Sequence, residues 1–128
     1  MASCVSALLF AKRLGVVAEF YQVVFGARIS HSDANHTVLD FDGFNLMIHQ
    51  LPAHLAVAVA VKSPPERREQ TAVRLDYPTD DLARSRNEAA RLGGVIDETP
   101  PPWAANDTMF FLGHDPEGNV FGVKLAGN

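Results

Sequence analysis

The chain has 128 residues, of which 47% are hydrophobic and 20% are charged, and its formal net charge at pH 7 is −4. A chain of this length can bury one hydrophobic core, and no apolar run approaches the roughly 20 residues that span a membrane. The basic residues are scattered, which excludes the concentrated positive surface of a nucleic-acid-binding protein. The N-terminal residues lack the charge order of a secretory signal, and Cys4 is the only cysteine. We therefore expect a cytoplasmic protein without disulfides and with neither a membrane nor a nucleic acid as partner.

The first half of the chain is predicted to form a strand, a helix and three further strands. Residues 4–11 suit a buried strand, and residues 14–25 carry apolar side chains at helical spacing. Gly26 stands where a helix usually ends. Three short strands follow, separated by polar turns, at residues 27–32, 36–41 and 44–50.

The segment that joins the two halves has two possible structures. Residues 54–62 alternate small and β-branched side chains, which favours an extra strand or an extended bridge. The alanines in this segment leave a helix over 54–61 open. Residues 63–69 contain two adjacent prolines and several charges, and we interpret them as a polar linker.

The second half repeats the order of the first. A strand over 71–77 is followed by a helix over 82–92, which begins after the capping residues 79–81 and ends at Gly93 and Gly94. Three strands are then predicted at residues 95–98, 108–112 and 119–125. We interpret the chain as a single domain of two similar modules, about 1–51 and 71–128, with a bridge and linker over 52–70.

Short motifs in this order carry a family resemblance. Phe20-Tyr21 and Phe25-Gly26 lie near the end of the first helix, and Asp115-Pro116-Glu117-Gly118-Asn119 precedes the last strand. Together with the repeated order of elements, they resemble the vicinal oxygen chelate (glyoxalase/bleomycin resistance/dioxygenase) superfamily over nearly the whole chain. The resemblance implies an α+β fold in which two βαβββ modules form a curved mixed sheet around a ligand cavity, usually in a homodimer.

The resemblance also implies where metal-dependent members would hold a divalent ion. Counting from the motifs puts three of these positions at Ser6, Arg74 and Gly122. A hydroxyl is a poor ligand for such an ion, a guanidinium repels it, and glycine has no side chain. We therefore expect no metal and no other cofactor, which argues against an enzyme of the glyoxalase or dioxygenase type.

A ligand site is expected in the cavity. Arg74 is predicted to face it, where it would either contact an anionic ligand or pair with Asp76. Trp103, in a proline-rich loop, offers a flat ring for stacking, and Gly122 would leave room for the ligand. The sequence thus predicts metal-independent binding of a small, partly aromatic molecule, similar to bleomycin-type antibiotic resistance proteins. The predicted ligand-binding residues are Trp103, Arg74, His49, Phe110, Phe111 and Gly122.

Two alternatives to this function remain open. The chain would be a glyoxalase- or dioxygenase-like lyase, oxidoreductase or transferase if a displaced metal site were built around His49, Gln50 and His114. An enzyme that performs acid–base chemistry without a metal belongs to the same alternative. It would be a dimeric module without a ligand if its own side chains filled the groove. His31 and His36 straddle a predicted hairpin turn and could face one another, but we interpret them as solvated imidazoles.

Overall fold

The structure is a computed structural model that describes residues 4–104 and 109–125. The first half forms the elements β1 (Val5–Ala11), α1 (Leu14–Phe25), β2 (Arg28–Ser32), β3 (His36–Asp40) and β4 (Phe44–Gln50). A short helix, α2 (Ala53–Ala56), lies between the halves. The second half forms β5 (Leu75–Thr79), α3 (Leu82–Arg91), β6 (Val95–Ile96), β7 (Phe110–His114) and β8 (Val120–Leu125), with a 3-10 turn at Pro102–Ala104.

Each half contains a four-stranded mixed sheet of the same topology. The strand orders are β1-β4-β3-β2 and β5-β8-β7-β6. In both sheets the first strand pairs in parallel with the last, and the other pairs are antiparallel. This arrangement confirms the predicted fold of two βαβββ units. The described strands form two separate sheets, however, and these do not close into one continuous curved sheet.

The two halves share one hydrophobic core. Phe20 of α1 and Phe121 of β8 are both buried, and their ring centroids lie 5.8 Å apart. Phe25 stacks on Tyr77 of β5 with centroids 4.6 Å apart and planes inclined by 13°. Because these rings come from both halves, neither sheet covers its apolar face with residues of its own half alone.

Helix α1 begins with tertiary contacts and ends with a local one. Its N-cap residue, Arg13, makes no side-chain capping bond. The Glu117 carboxylate instead accepts from the backbone N–H groups of Lys12 and Arg13 at 2.8 and 2.7 Å, and Gln50 Oε1 accepts from that of Leu14 at 3.0 Å. At the other end, Gly26 has the left-handed conformation, with φ of 72°, as a helix C-terminus often requires.

Several boundaries differ from the sequence-based prediction. The predicted strand over 54–62 is absent, because residues 53–56 form α2 and residues 57–74 contain no described strand. The strand predicted over 71–77 starts only at Leu75, which pairs with Phe121 of the parallel strand β8. Because β8 begins at Val120, residues 71–73 have no residue of that strand opposite them. The strands predicted over 95–98, 108–112 and 119–125 are Val95–Ile96, Phe110–His114 and Val120–Leu125, and Thr108 lies outside the described residues.

The described helices are all short. None of them is long and apolar enough to cross a bilayer.

Candidate functional site

The face of the second sheet that points away from the core carries the main group of predicted site residues. Tyr77, Phe111 and Phe121 are buried in the core. Because side chains alternate along a strand, the neighbouring residues Asp76 and Phe110 lie on the opposite face of the sheet, away from the core. Asp76 pairs with Gly122 across the parallel strands β5 and β8, which places both on this outer face.

Arg74 makes an ion pair and two ring contacts on this face. Its Nε and Nη2 donate to the two Asp76 carboxylate oxygens at 2.7 and 3.1 Å. Its Cζ lies 4.9 Å from the Phe110 ring centroid and 5.6 Å from the Trp103 ring. Hydrogen bonding to Asp76 raises the pKa of Arg74 above its usual value. We call Arg74, Asp76, Trp103 and Phe110 the Arg74 patch.

Trp103 is the most open member of the Arg74 patch. Its ring centroid lies 5.5 Å from that of Phe110, at an interplanar angle of 46°. The residue is 66% exposed, which is unusual for so large an aromatic side chain. One part of the indole therefore contacts Phe110 and Arg74, and the rest of the ring is exposed at the surface.

Gly122 does not leave the room that was predicted for a ligand. A Cβ added at this position would meet the Asp76 carboxylate directly and Phe110 Cε1 at 2.8 Å. The space above Gly122 is thus filled by two members of the Arg74 patch. Its missing side chain allows the Arg74–Asp76 pair and the Phe110 ring to lie against the sheet.

Two predicted site residues lie away from the Arg74 patch. Phe111 is 7% exposed and points into the core, because it alternates with Phe110 along β7, and its ring lies 5.2 Å from the Arg86 guanidinium. His49 lies on β4 in the first sheet, where its ring neighbours are Phe10 and His36 at 5.9 and 6.0 Å. The structure therefore divides the predicted set between two sheets and the core.

The residues of the predicted displaced metal site are also not brought together. His114 lies on β7, and its Nδ1 accepts from Arg67 Nε at 2.8 Å. Burial, followed by the nearby Arg67 charge, lowers the pKa of His114. Gln50 binds the backbone of residues 12 and 14 with both ends of its amide, and His49 lies in the other sheet from His114.

The positions that the family would use for a metal do not fit one. Ser6 lies opposite Asn45 in the first sheet, while Arg74 and Gly122 belong to the second half. The carboxylate closest to Gly122, that of Asp76, already accepts both Arg74 hydrogen bonds. A guanidinium, an alcohol and a bare backbone do not supply the converging lone pairs that a divalent ion needs.

An open pocket adjoins the Arg74 patch at Asp76. It has a volume of about 340 Å³ and lies between the β3–β4 turn and β5. Its apolar walls include Phe41, Phe44, Leu75 and Tyr77. Apolar walls with a few polar groups at the rim are typical of small-molecule sites. The pocket is a groove between the two halves, and not the cavity enclosed by a curved sheet that was predicted.

The two motifs that carry the family resemblance bind each other. Tyr21 Oη donates to Asp115 Oδ2 at 2.8 Å, and Asp115 is completely buried. Burial raises the pKa of Asp115, and burial together with the Asp115 charge raises that of Tyr21 well above its usual value. These residues connect the two halves, a role that the sequence analysis did not assign to them.

A family model of the glyoxalase-like domain matches residues 6–124. The chain belongs to the glyoxalase-like domain family. No curated protein matches the sequence of this family member.

Solved structures of low sequence identity share the fold of this glyoxalase-like protein. A glyoxalase/bleomycin resistance protein from Albidiferax ferrireducens T118 is 14% identical, with a TM-score of 0.66 over 96% of this chain and 98% of that one. The fosfomycin resistance protein FosX from Listeria monocytogenes is 12% identical, with a TM-score of 0.65 over 99% and 93%. A glyoxalase-related enzyme from Fulvimarina pelagi is 19% identical, with a TM-score of 0.65 over 98% and 89%.

Proposed function

We propose that this protein binds a small, planar, partly aromatic molecule on the Arg74 patch, without a metal ion at that site. The observation that carries the proposal is the exposed Trp103 ring beside a guanidinium that lies over both Trp103 and Phe110. A flat ring and a stacked cation together form a surface on which a planar ligand can lie. The adjoining groove would receive an apolar part of the ligand.

The Arg74–Asp76 pair defines the polar group that the ligand should carry. Asp76 neutralises the guanidinium and occupies its Nε and Nη2 donors. The remaining N–H groups of Arg74 can still donate to a ligand oxygen. A fully anionic ligand would have to compete with Asp76, so we propose an aromatic molecule with a carbonyl or hydroxyl acceptor.

We further propose that this binding serves antibiotic resistance by sequestration of the ligand. One of them is described as a glyoxalase/bleomycin resistance protein and another as a fosfomycin resistance protein. The poor fit of Ser6, Arg74 and Gly122 to a divalent ion favours binding over metal-dependent chemistry. A homodimer would give the open groove a second wall, and it is part of the same proposal.

A ligand screen followed by a Trp103 variant tests this function. Trp103 is the only tryptophan of the chain, so its fluorescence reports contacts at the Arg74 patch directly. We expect at least one compound in a panel of aromatic antibiotics and natural products to raise the melting temperature and change this fluorescence. Trp103→Ala should then weaken binding of that compound roughly tenfold, as measured by calorimetry.

Phe10→Ala is the matched control for the Trp103 variant. Phe10 is also an exposed aromatic residue, at 52%, but it lies on the first sheet. Its loss should leave the affinity unchanged. Equal affinity of the Trp103→Ala variant and the wild type would exclude the Arg74 patch as the site. Binding that disappears when a chelator is added would favour the enzyme alternative.

A further inference from the structure

Three potential metal ligands lie together at the turn between β2 and β3, far in sequence from the family's metal positions. His31, Asp33 and His36 each offer one ligand atom, and these atoms lie within 4.8 Å of one another. We propose that these residues, the hairpin cluster, form a binding site for a divalent first-row transition-metal ion such as Zn²⁺. The proposal is independent of ligand binding on the Arg74 patch.

A β-bulge places the two imidazoles on the same face of the first sheet. Ile29 pairs with Leu39, but the register then shifts and His31 pairs with Val38. Without this shift, His31 would lie opposite Thr37, which is buried toward the core. Bulges redirect side chains in this way. The two rings now stack with centroids 4.6 Å apart and planes inclined by 24°.

The turn holds the Asp33 carboxylate beside a ring nitrogen of each imidazole. Its Oδ1 accepts from the backbone N–H groups of Asn35 and His36 at 2.7 and 3.0 Å. Its Oδ2 lies 2.8 Å from His31 Nε2, and its Oδ1 lies 3.4 Å from His36 Nδ1. The backbone bonds orient the carboxylate without a metal, so two of the three donor pairs are already in contact.

A further imidazole supports the cluster from inside the sheet. The His49 ring lies parallel to that of His36, with centroids 6.0 Å apart and planes inclined by 8°. His49 Nδ1 donates to the Gln50 carbonyl at 2.9 Å, which fixes its orientation. His36 is therefore held between two rings, and this arrangement limits the rotation of its imidazole.

The donor set matches the chemistry of transition-metal sites. Two imidazoles and one carboxylate bind zinc or iron in many proteins and leave positions open for water or another ligand. Metal–ligand bonds of about 2.0 to 2.2 Å require donors that are about 3 to 3.5 Å apart. The His31 side chain is 51% exposed, so a small rotation of its ring can bring the remaining donor pair, His31 and His36, into this range.

Titration of chelator-treated full-length protein with Zn²⁺ tests the hairpin cluster. We expect calorimetry to show one saturable site per chain, and Zn²⁺ to raise the melting temperature. His31→Asn and His36→Asn should each weaken Zn²⁺ binding at least about tenfold, because even indirect support of a metal ligand contributes about that much. Asp33→Asn should also weaken Zn²⁺ binding. Its amide oxygen can still accept the two turn hydrogen bonds, so this variant removes the charged ligand while it keeps the turn.

His54→Asn is the matched control, since it removes an exposed imidazole from α2 and should not change Zn²⁺ affinity. Circular dichroism of each variant separates lost binding from lost folding. Two results would overturn the proposal. One is the absence of saturable Zn²⁺ binding in the wild type at micromolar concentration. The other is undiminished binding in the His31→Asn/His36→Asn double variant.

Discussion

At the scale of single residues, the buried carboxylate of Asp115 depends on its hydrogen-bond donors. These are Tyr21 Oη, Asn119 Nδ2 and the backbone N–H groups of Glu117 and Asn119, at 2.8 to 3.1 Å. Tyr21→Phe removes one donor from a buried charge and should lower the free energy of unfolding by about 1 to 3 kcal/mol near neutral pH. Urea denaturation followed by circular dichroism measures this loss.

The effect of Tyr21→Phe should depend on pH. Burial raises the folded-state pKa of Asp115 above its unfolded value, so the native state binds the proton more tightly. The resulting contribution to stability is present at low pH and is lost as the pH rises through the folded-state pKa. The Tyr21 hydrogen bond stabilises the ionised form, and its removal should therefore matter less at about pH 4 than at neutral pH.

Tyr77→Phe is the control for this pH dependence, because its hydroxyl is not among the donors to Asp115, although its ring lies 5.5 Å from that of Tyr21. The difference between the wild type and Tyr77→Phe should not shrink on acidification. If Tyr21→Phe lowered the free energy of unfolding by the same amount at both pH values, the Tyr21 hydrogen bond would not act on ionised Asp115.

At the scale of elements, local sequence signals predicted α1 and α3 well, but they favoured a strand where α2 forms and predicted long-range strand pairing poorly. The spacing of Leu14, Val17, Tyr21 and Val24 and the position of Gly26 were sufficient to predict α1 with its observed bounds. The predicted start of β5 was wrong, because the observed start depends on where the distant partner strand β8 begins. A sequence pattern shows which residues suit a strand, but it does not show where a partner strand ends.

The candidate site was predictable to the same extent. Trp103, Arg74 and Phe110 were chosen for their chemistry, and the structure places them together. The prediction that Gly122 leaves room for a ligand was wrong, because the Asp76 side chain fills that space. Asp76 lies beside Gly122 only because of the register between β5 and β8, which the sequence does not show. The sequence raised the possibility that His31 and His36 face one another but did not predict it, because their shared face depends on a β-bulge that the sequence does not mark.

The start of α1 yields a prediction about elements. Its first N–H groups are bound by Glu117, which lies in the turn before β8 and is 4% exposed. Glu117→Gln removes the charge near the positive helix end and turns an N–H donor toward Lys12 or Arg13. Urea denaturation should show a loss of about 1 to 3 kcal/mol in the free energy of unfolding.

Glu19→Gln provides the comparison within the same helix. Glu19 is an exposed residue of α1, so its replacement should change the stability by no more than about 0.5 kcal/mol. If the Glu117 and Glu19 variants were equally stable, solvent would satisfy the start of α1 as well as the distant carboxylate does.

At the scale of the whole molecule, the shared core should make the two halves unfold together. Phe121 belongs to the second half and is 1% exposed, yet its ring lies 5.8 Å from that of Phe20 and 5.3 Å from that of Phe25. Phe121→Ala should therefore create a cavity that both halves line, at a cost of about 3 to 5 kcal/mol. Phe10→Ala, at a half-exposed position, should cost much less.

Native-state hydrogen exchange distinguishes joint from separate unfolding in the Phe121 variant. Amides of β4 and β8 lie in different sheets, but both strands contribute buried residues to the same hydrophobic core. Exchange that requires global unfolding should accelerate by the same factor in both strands, since both lose the same free energy. Acceleration in β8 alone would show that the sheets unfold as independent units, and the shared core would then contribute little to their cooperativity.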